Sequence, residues 1–173
     1  SLSHLATEQF QAELEFLIGT DNVDVCALDQ LVSYHLFPGK PRPALLPSQL
    51  HGLLKGFIDL VFVHKQKYYI ADYKFNALGA NDTAYDKDAL ETAMLEKRYD
   101  LQSTLYLLAL HRLLKTRLGN NYDYDSHVGG FLYWFLRGVN ATSCGRVFDK
   151  PTRTFIDDLD SLFCGSSRKG CDS

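Results

Sequence analysis

Two aspartates, each within an otherwise apolar segment, carry the strongest chemical signal in the sequence. Asp59 lies in GFIDLVFV and Asp72 in YYIADYK, and a polar turn joins the two segments. A hairpin centred on Lys65 and Gln66 pairs residues whose numbers sum to 131, as 59 and 72 do. Opposed carboxylates about 5 Å apart repel by roughly 3 kcal/mol at an effective dielectric of about 20, so folding alone does not favour this arrangement.

A bound divalent cation would turn that repulsion into ligation, because hard cations such as Mg²⁺ take carboxylate oxygens and keep several waters. The period of a strand also places Lys74 on the same face as Asp72. Its ammonium could stabilise charge on a phosphate, or orient and deprotonate a water. The spacing leaves open a plainer interpretation, in which Asp59 ends a strand and Asp72 with Lys74 is an exposed ion pair. The apolar flanks argue against exposure of the whole hairpin.

The rest of the chain predicts the elements that must hold this pair. Residues 129–139 are apolar on both faces, which indicates a central strand in a sheet covered on both sides. We therefore predict an α/β fold, a mixed sheet flanked by helices. The predicted elements are a strand at 11–18, a helix at 27–37, a proline-rich loop at 38–47, strands at 52–63 and 67–75, a helical tract at 87–118 broken near Tyr99, the strand at 129–139 and a helix at 152–163.

Composition limits the classes of function. The chain has 173 residues, 46% of them hydrophobic, which suits a single domain with its own core. A net charge of -3 excludes binding of polyanions through bulk charge. The sequence contains no apolar run long enough for a membrane span and no signal-peptide pattern, and from this we predict a cytoplasmic protein. The cysteines lack CxxC spacing, so no zinc site is expected.

Three motifs together resemble the RecB-type nucleases of the PD-(D/E)xK superfamily. They are GxxD at residues 56–59, DxK at 72–74 and QxxxY at 102–106. The longer segments LLKGFIDLVF, YYIADYK, RYDLQSTLYLLALHR and GGFLYWFLRGV are most similar to the nuclease domains of RecB subunits of exodeoxyribonuclease V. The resemblance runs from about Glu13 to Val139 and implies the restriction-endonuclease-like version of the predicted fold.

The resemblance implies a role for each motif residue. Asp59, Asp72 and the backbone carbonyl of Tyr73 would hold catalytic Mg²⁺, with Mn²⁺ or Ca²⁺ as other occupants of the same site. Lys74 would act on the attacking water or on the scissile phosphate.

Gln102 and Tyr106, four residues apart on one helical face, would brace this site and touch DNA. Arg98, one turn earlier, would meet a phosphate.

The implied activity is that of a metal-dependent exodeoxyribonuclease. It would hydrolyse mainly single-stranded DNA within a RecBCD-type helicase–nuclease, in double-strand break repair and recombination. The expected partners are single-stranded DNA, the helicase portion of the same parent chain, and RecC-like and RecD-like subunits, with no membrane. One alternative is a catalytically weak or inactive fragment that guides a DNA strand or assembles subunits. Another nuclease of the superfamily, such as a restriction enzyme, fits the extended match around QxxxY less well.

One feature of the family pattern has no counterpart in the sequence. The family has a further metal ligand, a histidine on a helix before the first strand, and His4 does not occupy that place. We therefore expect one nuclease domain at 1–165 that lacks this helical segment and is excised from a longer polypeptide, followed by a disordered tail at 166–173. A chain extended to restore the helix should cleave faster. Glu13 and Glu15 are left unassigned, and the other histidines are expected to be structural or exposed.

Overall fold

A five-stranded mixed sheet organises the part of the chain that the structure, a computed structural model, describes, residues 10–164. The strands follow one another across the sheet in chain order, antiparallel except for the parallel pair β3 and β4. The elements are β1 (Phe10–Asp24), α1 (Val25–His35), β2 (Gln49–His64), β3 (Lys67–Lys74), α2 (Lys87–Glu96), α3 (Tyr99–Leu118), α4 (Tyr124–His127), β4 (Val128–Phe135), β5 (Arg146–Asp149) and α5 (Arg153–Phe163).

The β2–β3 hairpin has the register that the sequence predicts. Its pairs run from His64 opposite Lys67 to Leu60 opposite Ala71, so their numbers sum to 131. Lys65 and Gln66 form the two-residue turn, both with positive φ (48° and 63°), as hairpin turns that match the twist of the strands require. The paired part of the hairpin therefore ends next to Asp59 and Asp72.

A helical connection between β3 and β4 places Asp72 beside a residue of β4. Parallel strands need a long connection, and here α2 and α3 lead from the end of β3 to the start of β4. In the resulting register Asp72 lies beside Tyr133, and Lys74 beside Phe135. The carboxyl ends of β3 and β4 therefore meet where α3 begins, a common position for ligand sites in α/β folds.

The predicted break in the long helical tract is confirmed. α2 ends at Glu96 and α3 begins at Tyr99, and between them Arg98 adopts a left-handed conformation with φ 54°. The left-handed residue separates the two helices.

The two faces of the sheet differ in what covers them. Ile70, Phe131 and Tyr133 belong to one continuous core with buried side chains of α1, α2, α3 and α5. Side chains of the opposite face, such as Tyr69 and Trp134, lie outside that core and contact other strand residues instead. The mixed sheet with flanking helices is confirmed. The described helices pack against the face that bears Asp72, so the expected cover of both faces is not found among residues 10–164.

Several boundaries differ from those predicted. β1 continues to Asp24 instead of ending at residue 18, because its pairing with β2 resumes after a shift of register between Thr20 and Val23. β4 ends at Phe135, where a short 3₁₀ turn follows, and β5 carried too few residues to be predicted. The predicted tail, residues 166–173, lies outside the described residues. None of the helices between residues 10 and 164 is long and apolar enough to cross a membrane.

Candidate active site

Asp59 and Asp72 come together at the end of the β2–β3 hairpin. The regular pairing stops at Leu60 and Ala71, and Asp59 and Asp72 are the next residues on the two strands. There the Asp59 carboxylate accepts a hydrogen bond from the Tyr73 backbone N–H at 3.0 Å. Asp59 is exposed, whereas Asp72 is buried, 2% exposed. One carboxylate therefore faces solvent and the other lies beneath it.

The glycine of the GxxD motif makes room for an aromatic contact with α3. A side chain at Gly56 would collide with the ring of Phe16 on β1, and Phe16 in turn meets Tyr106 edge-on, with ring centroids 5.6 Å apart. Ile58 and Val61 both face the core although they are three residues apart, so β2 changes face between them. The irregularity lies where the regular pairing with β3 ends, next to the hydrogen bond between Asp59 and the Tyr73 N–H.

Lys74 is held from several sides. Its Nζ lies 2.6 Å from Asp72 Oδ2 and 3.0 Å from Gln102 Oε1. The same nitrogen lies over the ring of Tyr99, 4.0 Å from the centroid, and 5.2 Å from that of Tyr133. The side chain is 12% exposed. The ammonium is thus fixed beside the carboxylate pair.

Gln102 links this lysine to two tyrosines. Its Oε1 accepts from the Tyr133 hydroxyl at 2.9 Å, and its Nε2 donates to the Tyr106 hydroxyl at 2.9 Å. Burial, followed by the charges of Asp72 and Asp59, raises the pKa of Tyr106 to about 12, so its phenol stays protonated. The structure therefore brings Gln102 and Tyr106 to the site, as the QxxxY spacing predicts.

Arg98 lies elsewhere in relation to α3 than the sequence suggests. Because it precedes the helix in a left-handed conformation, it does not share the helical face of Gln102. Its guanidinium is bound to Asp29 at 2.6 Å, to Asp100 at 3.1 Å and to the carbonyl of Pro43 at 2.8 Å. Its side chain is 11% exposed. These contacts anchor the start of α3, and contact with a DNA phosphate stays a prediction.

The carboxylate pair has the chemistry of a site for a hard cation. Burial, with the charge of Asp59, raises the pKa of Asp72 despite the opposing effect of Lys74. Asp72 Oδ2 is buried and lies 2.6 Å from the Lys74 ammonium. Two carboxylates against one ammonium leave a site with a net negative charge. The residues present fit a divalent cation, and its remaining ligands would be water or phosphate.

The described residues supply no third side-chain ligand beside the two carboxylates. Within residues 10–164 there is no group of three histidine, cysteine or carboxylate side chains that could hold a metal. Glu15 pairs with Lys55 at 2.9 Å on the surface. The buried His111 bonds Tyr122, which is a structural contact of the kind expected for the histidines. His4 lies outside the described residues.

Two residues of the site were missed in the sequence, Tyr99 and Tyr133. Tyr99, Gln102 and Tyr106 are spaced three and four apart, so one face of a helix presents all three, and this signal was available. The position of Tyr133 depends on the register between β3 and β4, which no local pattern encodes.

Comparison with known proteins identifies the family. The sequence model of the PD-(D/E)XK nuclease superfamily matches residues 4–164, which include every residue of this site. The chain belongs to that superfamily. Nucleases of the PD-(D/E)XK superfamily generally use divalent metal ions, which agrees with the paired carboxylates.

The curated relatives are similar to the chain over most of its length. It is 42% identical to RecBCD enzyme subunit RecB of Escherichia coli strain K12 over 168 residues, 95% of this chain and 14% of the relative. The same subunit of Haemophilus influenzae is 39% identical over 165 residues, which are 94% of this chain and 13% of the relative. The RecB subunit of Mycobacterium tuberculosis strain H37Rv is 43% identical over 107 residues, which are 61% of this chain and 10% of the relative. The chain thus spans a small part of the length of these relatives.

Proposed function

We propose that the chain is the Mg²⁺-dependent nuclease domain of a RecBCD-type enzyme, which hydrolyses phosphodiester bonds of mainly single-stranded DNA. The activity would be of the exodeoxyribonuclease V type and would serve double-strand break repair and recombination in the cytoplasm. One observation carries the proposal. Asp59 and Asp72 meet at the end of one hairpin with Lys74 fixed beside them, inside a chain of this superfamily.

Charge explains why this site needs a cation before it accepts DNA. Two carboxylates and one ammonium leave a net negative charge, which repels a phosphodiester. Asp59, Asp72 and the backbone carbonyl of Tyr73 would hold the cation. When bound, a divalent ion supplies positive charge that polarises a phosphoryl oxygen and makes a water more acidic.

The other residues of the site position charge and exclude water. Lys74 keeps its ammonium between Asp72 and Gln102, where it stabilises negative charge that develops on a phosphate. Gln102 fixes the direction of that ammonium because Tyr133 and Tyr106 hold both ends of its amide. The protonated phenol of Tyr106 offers a hydrogen-bond donor beside the carboxylates.

An exposed aromatic ring beside Lys74 supports a preference for unpaired DNA. Phe75 directly follows the lysine and is 71% exposed. An unpaired base can stack on such a ring, whereas a base inside a duplex cannot, because its faces are already covered. We propose that Phe75 receives a base next to the scissile phosphate.

Phe75→Ser should weaken binding of single-stranded DNA by about tenfold, since stacking contributes about 1 to 3 kcal/mol per base. The measurement is fluorescence anisotropy, with Mg²⁺ present, of a labelled phosphorothioate oligonucleotide that resists hydrolysis. Tyr34→Ser is the matched control, because Tyr34 is 77% exposed on α1 beside His35, which packs against α5. Equal affinities for wild type and Phe75→Ser would remove this ring from the DNA site.

The partners follow from the relatives rather than from the site. The relatives are named as subunits of a RecBCD enzyme, and the chain spans 14% of the first of them. We propose that a helicase portion of the same parent chain delivers the DNA strand, and that RecC-like and RecD-like subunits complete the assembly.

Metal-dependent cleavage tests the proposed function. Titration of the chain with Mg²⁺ or Mn²⁺, read by cleavage of end-labelled single-stranded DNA, should show hydrolysis that rises with metal and stops with EDTA. If metal binds and DNA binds but no product forms, the chain is instead a module that guides a strand or assembles subunits.

A further inference from the structure

The ammonium of Lys74 has a third contact that no motif includes. Besides Asp72 and Gln102, it faces the ring of Tyr99, whose centroid is 4.0 Å from Nζ. A cation over an aromatic face within about 6 Å is attracted by the negative charge of that face, and more strongly when water is excluded. The site of Lys74 is 12% exposed, so this attraction acts in a largely dehydrated environment.

Tyr99 is itself fixed in place at both ends. Its ring stacks on that of the buried Tyr133, with centroids 5.7 Å apart and planes 21° apart. Its hydroxyl donates to Asn76 Oδ1 at 3.3 Å, two residues beyond the lysine. The preceding residue, Arg98, anchors the start of α3 through Asp29 and Asp100. Tyr99 therefore lies over the lysine side chain and links the start of α3 to the loop after β3.

We propose that Tyr99 is a positioning residue, whose ring holds the Lys74 ammonium between Asp72 and Gln102 in the reactive direction. This inference rests on the proposed nuclease function for its effect on catalysis, but the contact itself does not. Asp72 alone would draw the ammonium down onto its buried oxygen, 2.6 Å away. The ring of Tyr99 supplies attraction from another side and keeps the charge at a fixed point.

The contact differs in kind from apolar packing. A leucine at position 99 would fill much of the same volume, but it has no negative face to attract a cation. A phenylalanine keeps the face and loses the hydrogen bond to Asn76. Comparison of Tyr99→Leu with Tyr99→Phe therefore separates the cation contact from packing and from the hydroxyl.

Nuclear magnetic resonance reads the contact without any need for activity. In the full chain labelled at lysine, ring current from Tyr99 should shift the Lys74 Hε protons upfield, and cross-relaxation should connect them to the Tyr99 ring protons. Tyr99→Leu should abolish the upfield shift and Tyr99→Phe should keep most of it. Tyr34→Leu on α1 is the control substitution and should leave these signals in place.

Kinetics then measures the consequence for cleavage. We expect Tyr99→Leu to lower kcat about tenfold, with KM for single-stranded DNA changed less than about twofold, because the lysine acts in the reaction rather than in binding. Tyr99→Phe should restore most of kcat. A wild-type chain without the Lys74–Tyr99 cross-relaxation, or a Tyr99→Leu variant with an unaltered Lys74 signal, overturns the inference. The expected shifts in a chain that does not cleave DNA would reject the nuclease function and leave the contact established.

Discussion

Asp72→Asn should abolish Mg²⁺-dependent DNA cleavage, with a loss of about a thousandfold or more, while the chain stays folded. Asparagine keeps the volume of this buried side chain but removes the negative charge that would bind the cation and that pairs with Lys74. Without it, Asp59 is left as the one carboxylate of the pair, and a single ligand holds a hard cation weakly. The measurement is the rate of product formation from labelled single-stranded DNA at saturating Mg²⁺.

A second aspartate of the sheet provides the control. Asp149 on β5 is also partly buried, and burial raises its pKa, yet it lies opposite Phe131 rather than in the carboxylate pair. Asp149→Asn makes the same chemical change elsewhere, so we expect its cleavage rate to stay near that of wild type. Calorimetry should show that Mn²⁺ binds Asp72→Asn more weakly than it binds wild type, whereas Asp149→Asn should bind Mn²⁺ as wild type does. Cleavage by Asp72→Asn at the wild-type rate would falsify the metal-binding role.

The part of the site that the sequence predicts is the part encoded by local rules. The register of a hairpin follows from the position of its turn, so the meeting of Asp59 and Asp72 could be read from two residue numbers. The spacing of Gln102 and Tyr106 follows from the helical repeat. Each of these inferences needs no knowledge of how distant elements pack.

The part that could not be predicted depends on packing between distant elements. Tyr133 reaches the site because β4 pairs in parallel with β3, and nothing in either strand states that register. The role of Arg98 depends on Asp29 of α1, which is 69 residues away in the chain. Arg98 itself adopts a left-handed conformation, which takes it off the helical face on which a continuous helix would have placed it.

The fold should be sensitive to the loss of any one partner in the buried ion-pair network at the start of α3. Asp100 is fully buried and binds Arg42 at 2.7 Å and Arg98 at 3.1 Å. Arg42 also donates to the carbonyls of Leu36 and Phe37, which follow α1. The network thus joins α1, the proline-rich loop and α3. Removal of one partner leaves the others buried without their counter-charge.

Asp100→Asn should therefore lower the free energy of unfolding by about 3 to 5 kcal/mol, as measured by urea denaturation. The matched control is Glu15→Gln, which breaks the exposed pair between Glu15 and Lys55 and should cost no more than about 1 kcal/mol. A loss for Asp100→Asn as small as that of Glu15→Gln would show that the network is not what fixes α3. Because α3 carries Tyr99 and Gln102, the same variant should also lose cleavage activity at temperatures where it is still folded, through loss of the two contacts that α3 makes with Lys74.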